Sequence, residues 1–374
     1  MDFDYIVMPA IILMLAVLLT WLSIRRMRSL STRPYRRWRK DAERIVLSVV
    51  VFLAVAVAGY SSFNAIALHH FWARNPAPGE IVAVGGHKMH IYCTGSGSPT
   101  IVLEAGGGSD SVAWTGVQPA LSKTTRVCSY DRAGHGWSDA LPGPRDADHI
   151  AGELHQLLLQ TGIIGPIVLV GQSFGGVFIR DYATRYPAEV VGLIFVDSST
   201  PWQNRNPALK PAAPETKPWV MNLAMILGVP RLLGTCGSSQ AALDHIRKLQ
   251  AEDLCRSHYR VTSAELEAFD ESGRQTVHSG PYGTLPILII SHDPRRQLPQ
   301  HPTQQDLDRE NAWTQMQIDL MKLSTRSRRI IARGSTHFVV TERPGLIEKE
   351  VPLFIEQIRG TTPQPTNYGS TITE

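Results

Sequence analysis

The sequence predicts an α/β fold, a parallel sheet covered by helices on both faces, preceded by two helices that cross a membrane. Three observations carry this. From residue 80 onward, strand-like and helix-like patterns alternate. Before that point lie two long apolar stretches without a charge. Within the alternating part, "VLVGQSFGGVFIRDYA" (residues 168–183) sets a serine between glycines where a strand becomes a helix.

The chain has 374 residues, 43% of them hydrophobic, enough for one large or two ordinary domains with a substantial core. Its net charge of +4 is not spread evenly. The run "RRMRSLSTRPYRRWRKDAER" (25–44) holds nine Lys/Arg and two acids, a local +7 that leaves the rest of the chain at −3. A nucleic-acid binder distributes basic charge over its folded body. A slightly acidic body argues against that class.

The basic run separates the two apolar stretches, 5–24 and 45–70. About 20 apolar residues span a bilayer as a helix, so residues 1–74 read as an anchor of two spans. Lys/Arg-rich loops stay cytoplasmic, which places loop 25–44 inside and everything after Trp72 outside. Trp21 and Trp72 suit the interfacial belt. Two other readings compete: a pair of buried core helices, or a signal peptide cleaved after Ala58. The four cysteines, Cys93, Cys128, Cys236 and Cys255, all follow the second apolar stretch, as expected of a segment in an oxidising space. They allow three pairings, or four independent thiols.

"NPAPGE" reads as a linker. "EIVAV", "HKMHIYC" and "TIVLEA" are short β runs broken by Gly-Gly and "TGSGSP", and "TRVCSYD" is another. "DADHIAGELHQLLLQTG" is amphipathic and ends at glycine, so it reads as a helix. "PIVLVG" and "VVGLIFVD" are buried strands flanking the helix "FGGVFIRDYATRYP". Later come the strand "LPILIISHD", the helix-like "DLDRENAWTQMQIDLMKLS", the strand "RRIIAR" and a last helix, "PGLIEKEVPLFIEQIRG". Strands alternating with helices imply a parallel sheet covered on both faces. Between Pro201 and about Gly283 the alternation fails, and prolines and short helical patterns suggest an insertion over the sheet. The tail "TTPQPTNYGSTITE" reads as disordered.

Gly171-Gln172-Ser173-Phe174-Gly175 fits the G-x-S-x-G nucleophile elbow. A strained turn lifts the hydroxyl into the cleft, and side chains two residues to either side would collide with the adjoining strand and helix. The following helix aims its N-terminal amides at the site, favouring developing negative charge. A serine hydroxyl needs a base, and the base an orienting carboxylate. Of thirteen histidines, His337 stands in the small-residue loop "ARGSTHFVV", after a strand and before the last helix, where a base can reach the sheet's C-terminal edge. Asp293 and Asp197 both follow strands; Asp293, beyond the insertion, is the preferred acid, with Asp197 the alternative and Asp306 or Asp308 behind them. The oxyanion needs two N–H donors. These are expected from Phe174 and, in "LEAGGGSD", from Gly107.

With these residues the chain resembles the α/β-hydrolase superfamily over about residues 80–360. The resemblance rests on "IVLEAGGG", "RVCSYDRAGHGWSD", "LVGQSFGG", "IFVDSS" and "GSTHF". It implies an eight-stranded, mostly parallel sheet, a helical cap after the sixth strand, a Ser173–Asp293–His337 triad and mostly structural roles for Asp131, Arg132 and Ser138. It divides the chain into a core (75–200 and 284–360), a cap (201–283) and a tail (361–374). Members acting on epoxides or haloalkanes carry aspartate at the elbow, where this chain has serine. The loop Ala105-Gly106-Gly107 departs from the His-Gly of many members. In the resembling fold the second and fourth strands are neighbours, which favours the pairing Cys93–Cys128, leaving Cys236–Cys255 within the cap.

The expected function is therefore that of a membrane-anchored serine hydrolase, its catalytic domain extracytoplasmic, cleaving a small-molecule or lipid-like ester without metal or organic cofactor. The same triad would serve an acyltransferase or a C–C bond hydrolase, and a catalytically silent fold would serve as a binding or sensing module. The cap's apolar helices suit an acyl chain and simple packing alike.

Overall fold

A computed structural model describes residues 3–32, 34–141, 143–201, 203–210, 217–234, 248–249, 252, 258–365 and 367–374. Contacts divide the chain into two units: residues 1–76 with 215–260, and residues 77–214 with 261–374.

The first unit contains α1 (Phe3–Leu30) and α2 (Arg37–Arg74), which pack against each other. Both are long and apolar enough to cross a membrane. Their apolar side chains point largely outward: Met14, Val17 and Phe52 are each more than 60% exposed. A pair of core helices would bury such residues, and the pair here does not. The basic stretch between them is tied by Arg26 Nε, 2.6 Å from Glu43 Oε1.

The second unit is built on a nine-stranded sheet. Its strands are β1 (Glu80–Val84), β2 (His87–Thr94), β3 (Thr100–Glu104), β4 (Val127–Tyr130), β5 (Ile167–Gln172), β6 (Val190–Val196), β7 (Ile287–His292), β8 (Ser327–Ala332) and β9 (Thr371–Thr373). They lie in the order β1-β2-β4-β3-β5-β6-β7-β8-β9, and only the β1–β2 and β2–β4 pairs are antiparallel. Successive side chains on a strand point to opposite faces. On β5, Ile167 and Leu169 therefore join a cluster with Leu154 of α3 (Ala147–Gln160) and Ile179 of α4 (Gly175–Arg185). Val168 and Val170 join the opposite cluster with Ile347 and Phe354. The helix starts follow their side-chain caps: Asp146 accepts from the His149 amide ahead of α3, and Thr303 forms a capping box with Asp306 ahead of the helix Gln304–Leu320.

Three expectations are corrected. The tail was expected to be disordered and the sheet eight-stranded. Instead β9 pairs in parallel with β8, and the Arg329 amide donates to Ser370 C=O at 3.0 Å. The β-branched "TIT" supplies the added edge strand. The segment 201–283, expected as one cap, is divided between the units. Residues 217–234, with α5 (Pro218–Ile226) and α6 (Val229–Leu232), belong with α1 and α2. The division then falls within α7 (His258–Glu267), after which α8 (Phe269–Thr276) packs on α3 and α4.

Candidate active site

β5 delivers Ser173 at its C-terminal end with φ of +49°, in the left-handed region. The two elbow glycines are required by space. A Cβ on Gly171 would lie 2.8 Å from the backbone of Gly175 and Gly176, and one on Gly175 would lie 2.7 Å from Ala105 C=O. These are the collisions that the spacing implies. The turn is locked by main-chain bonds: Ser173 N–H donates to Val196 C=O, and Ser173 C=O accepts from the Gly176 and Ser199 amides.

His337, in the loop after β8, reaches the serine. Its Nε2 lies 2.9 Å from Ser173 Oγ. Its Nδ1 lies 2.5 Å from Asp197 Oδ2. Asp197 follows β6 with φ of +45° and is fully buried. The expected acid, Asp293, is not against the histidine. Its carboxylate accepts from the Arg295 and Gly334 amides, so it pins the loop that carries His337 to the end of β7. The left-handed turn at Asp197 brings the neighbouring strand's carboxylate to the imidazole instead. Asp306 and Asp308 are occupied on the surface of their helix, by Thr303 and Gln304.

Two residues not weighed from the sequence, His292 and Trp313, surround Asp197. His292 donates its backbone N–H to Oδ1 at 3.0 Å, and its Nδ1 lies 2.8 Å from both carboxylate oxygens. Trp313 Nε1 donates to Oδ1 at 3.1 Å. On its far side, His292 Nε2 meets Glu310 Oε1 at 2.9 Å. An imidazole with a carboxylate at each nitrogen favours the cation. Burial lowers its pKa, but the bonds to Asp197 and Glu310 prevail and push it up to about 9. Burial would raise the Asp197 pKa, yet the bonds from His292 and His337 hold it well below the usual carboxylate range. The signal available in the sequence was "SHD", a histidine at the last position of a buried strand.

The loop after β3 carries Gly106 and Gly107 beside the elbow: a Cβ on Gly106 would come 3.2 Å from Ser173 Cβ, and one on Gly107 3.2 Å from the Phe174 ring. The amides of Phe174 and Gly107, the two expected donors, make no hydrogen bond among the described residues. Arg132 fixes this loop. It donates to Ala105 C=O and Gly106 C=O at 2.8 Å each, and pairs with Glu104 and Glu265 at 2.7 Å. Glu265, on α7, also meets His135 Nε2 at 2.9 Å. Burial raises the pKa of Glu104 to about 7, against the opposing pull of Arg132, and its carboxyl also takes the Tyr130 hydroxyl. Asp131 accepts from His90 Nδ1 and the Ser111 and Trp137 amides, while the Ser138 hydroxyl donates to Asp131 C=O. Asp131 and Ser138 thus tie the loop after β4 to His90 on β2, and Asp131 also to the Ser111 amide.

Cys93 and Cys128 are direct cross-strand partners on β2 and β4 and form a disulfide. Cys236 and Cys255 lie outside the described residues.

Chemically, the site offers a hydroxyl, a base and a buried anion in one hydrogen-bonded chain. The Phe174 amide at the start of α4 and the Gly107 amide in the loop after β3 have no hydrogen-bond partner among the described residues.

A family model described as alpha/beta hydrolase fold matches residues 99–287. A protein named a probable transporter in Hormonema carpetanum is 28% identical over 315 residues, 78% of this chain and 44% of that protein. An AB hydrolase superfamily protein of Gibberella zeae is 26% identical over 285 residues, 70% of this chain and 87% of that protein. Among solved structures, an esterase from Exiguobacterium antarcticum aligns with a TM-score of 0.55 at 17% identity, covering 74% of this chain and 99% of that one. The chain spans about half the length, or less, of the first curated relatives it matches.

Proposed function

The chain belongs to the alpha/beta hydrolase fold family, and on that premise we propose that it is a membrane-anchored serine hydrolase acting on an ester-like carbonyl. The observation that carries the reading is the continuous chain Ser173 Oγ, His337, Asp197, with links of 2.9 and 2.5 Å. In this reading Ser173 attacks the carbonyl carbon and its proton passes to His337 Nε2. Asp197 holds the Nδ1–H and stabilises the imidazolium. The Phe174 and Gly107 amides donate hydrogen bonds to the oxyanion, aided by the N-terminus of α4. His337 then protonates the leaving group, and water, deprotonated by the same histidine, releases the acyl group.

Arg132 acts here as a positioning residue. It holds the Gly106–Gly107 loop through two carbonyls, and its own charge is balanced by Glu104 and Glu265. A buried ion of this kind is tolerated only when paired.

The same reading has α1 and α2 cross a membrane with loop 25–44 on the cytoplasmic side and the catalytic unit on the other. The positive loop supports the orientation, and the Cys93–Cys128 disulfide supports an oxidising compartment. The substrate is a small-molecule or lipid-like ester. Turnover of p-nitrophenyl esters of graded chain length by the full-length protein tests the activity. No turnover above background for any ester would refute it. A reporter active only outside the cytoplasm, fused after Glu374 so that β9 stays intact, tests the topology; a silent fusion would reverse it.

A further inference from the structure

The segment Pro218–Leu233 was expected to belong to the cap, yet it packs on α1 and α2 as a helix, a turn at Gly228 and a short second helix. Building on the membrane anchor above, we propose that this helix–turn–helix is a third membrane-embedded element, lying in the outer leaflet with its apolar face in lipid.

Three observations support it. The first is the surface. Trp219, Leu223, Leu232 and Leu233 are 64%, 41%, 68% and 70% exposed, in the same unit as the exposed apolar side chains of α1 and α2. A water-facing segment this short rarely exposes so many large apolar side chains. Over the fifteen positions from Pro218 to Leu232, the two helices and their turn reach about 22 Å at most, too short for a span and suited to lying along the interface.

The second observation is the treatment of charge. Between Pro218 and Leu233 the only charged side chain is Arg231. It turns inward: its Nε donates to Asn64 Oδ1 at 2.8 Å, and its Nη2 lies 2.6 Å from Glu252 Oε2. The pair is nearly buried, with side-chain exposures of 12% and 3%. Charges at membrane depth face the protein interior and pair with one another.

The third is the backbone at the break. A helix end leaves carbonyls without intrahelical partners, and hydrocarbon provides no water to satisfy them. Here α2 does so. Ser61 Oγ donates to Ile226 C=O at 2.8 Å, and Asn64 Nδ2 adds a 3.4 Å bond to Met225 C=O, which also takes the Gly228 amide. Both residues are themselves buried. Gly228, at φ +76°, lets α6 start against α2, since a Cβ there would fall 2.9 Å from Asn64 Cβ.

Depth agrees. Ser61 stands seventeen residues beyond Arg44, the last cation of the basic loop. Along a helix that is about 25 Å, close to the far side of a hydrocarbon core of about 30 Å. Trp219 would then sit at the interfacial belt.

The test uses the full-length chain with p-benzoylphenylalanine placed singly at positions 219, 232, 18 and 164, reconstituted in phosphatidylcholine nanodiscs and irradiated. Position 18 lies on the exposed face of α1, and position 164 is an exposed isoleucine of the catalytic unit. Lipid adducts at 219 and 232 in yields matching position 18, with none at 164, are expected. Adducts at 18 with none at 219 and 232, or adducts from these two to a second copy of the chain, would overturn the inference and leave the anchor standing. Absence of adducts at position 18 would overturn the anchor, and this proposal with it.

Discussion

The carboxylate of Asp197 lies 2.5 Å from His337 Nδ1, although the two residues are 140 positions apart and Asp293 stands just past the end of the nearer strand. The positive φ of Asp197 and its burial beside His292 and Trp313 make it the anion that the imidazole faces.

Asp197→Asn keeps the shape of the side chain and favours the wrong histidine tautomer, so kcat should fall on the order of 10⁴-fold. Asp293→Asn still offers an acceptor to the Gly334 amide and should lose less than about tenfold, the cost of one weakened hydrogen bond. Both variants are to be compared on folded protein at the same ester. The reverse ranking would return the orienting role to the end of β7.

His292 gives stability a pH signature. Its folded pKa, about 9, lies above that of an unfolded histidine, about 6.5. Its contribution is therefore complete below about pH 6.5 and is lost as pH rises through about 9. The groups facing it are Asp197 and Glu310, with Arg329 bonded next door to Ser291. The stability gap between wild type and His292→Asn in urea should narrow across this window. A gap that widens towards pH 9 would mean that His292 is neutral in the folded protein.

Much of the site was legible because its signals are local. The elbow glycines report collisions with chain four to five residues away or with the adjoining strand, and His337 stands in a loop whose place is set by the flanking strand and helix. The acid was not legible. Both β6 and β7 are followed directly by a carboxylate, and the choice turns on one left-handed residue that the sequence does not mark. The run Pro218–Leu233 reads as apolar helix wherever it packs, so composition could not assign it to the sheet or to the anchor. β9 was missed because three residues of modest hydropathy carry no alternation long enough to detect.

The disulfide should matter to the catalytic unit. Cys93 and Cys128 close a loop of 35 residues across neighbouring strands, worth about 4 kcal/mol in the chain-entropy model. The double variant Cys93→Ser/Cys128→Ser should unfold at clearly lower urea. An unchanged midpoint would show that the bond does not restrain the unfolded chain.

Labelling of the serine by a fluorophosphonate tests the central claim most directly. The intact protein should be modified on Ser173 alone, located by peptide mass spectrometry, and ester turnover should vanish in step with the label. The folded Ser173→Ala variant should take no label and lose on the order of 10⁴ to 10⁶ in kcat. A label on another residue, or a Ser173→Ala variant that keeps about a tenth of wild-type turnover, far above the loss expected for a nucleophile, would contradict the account.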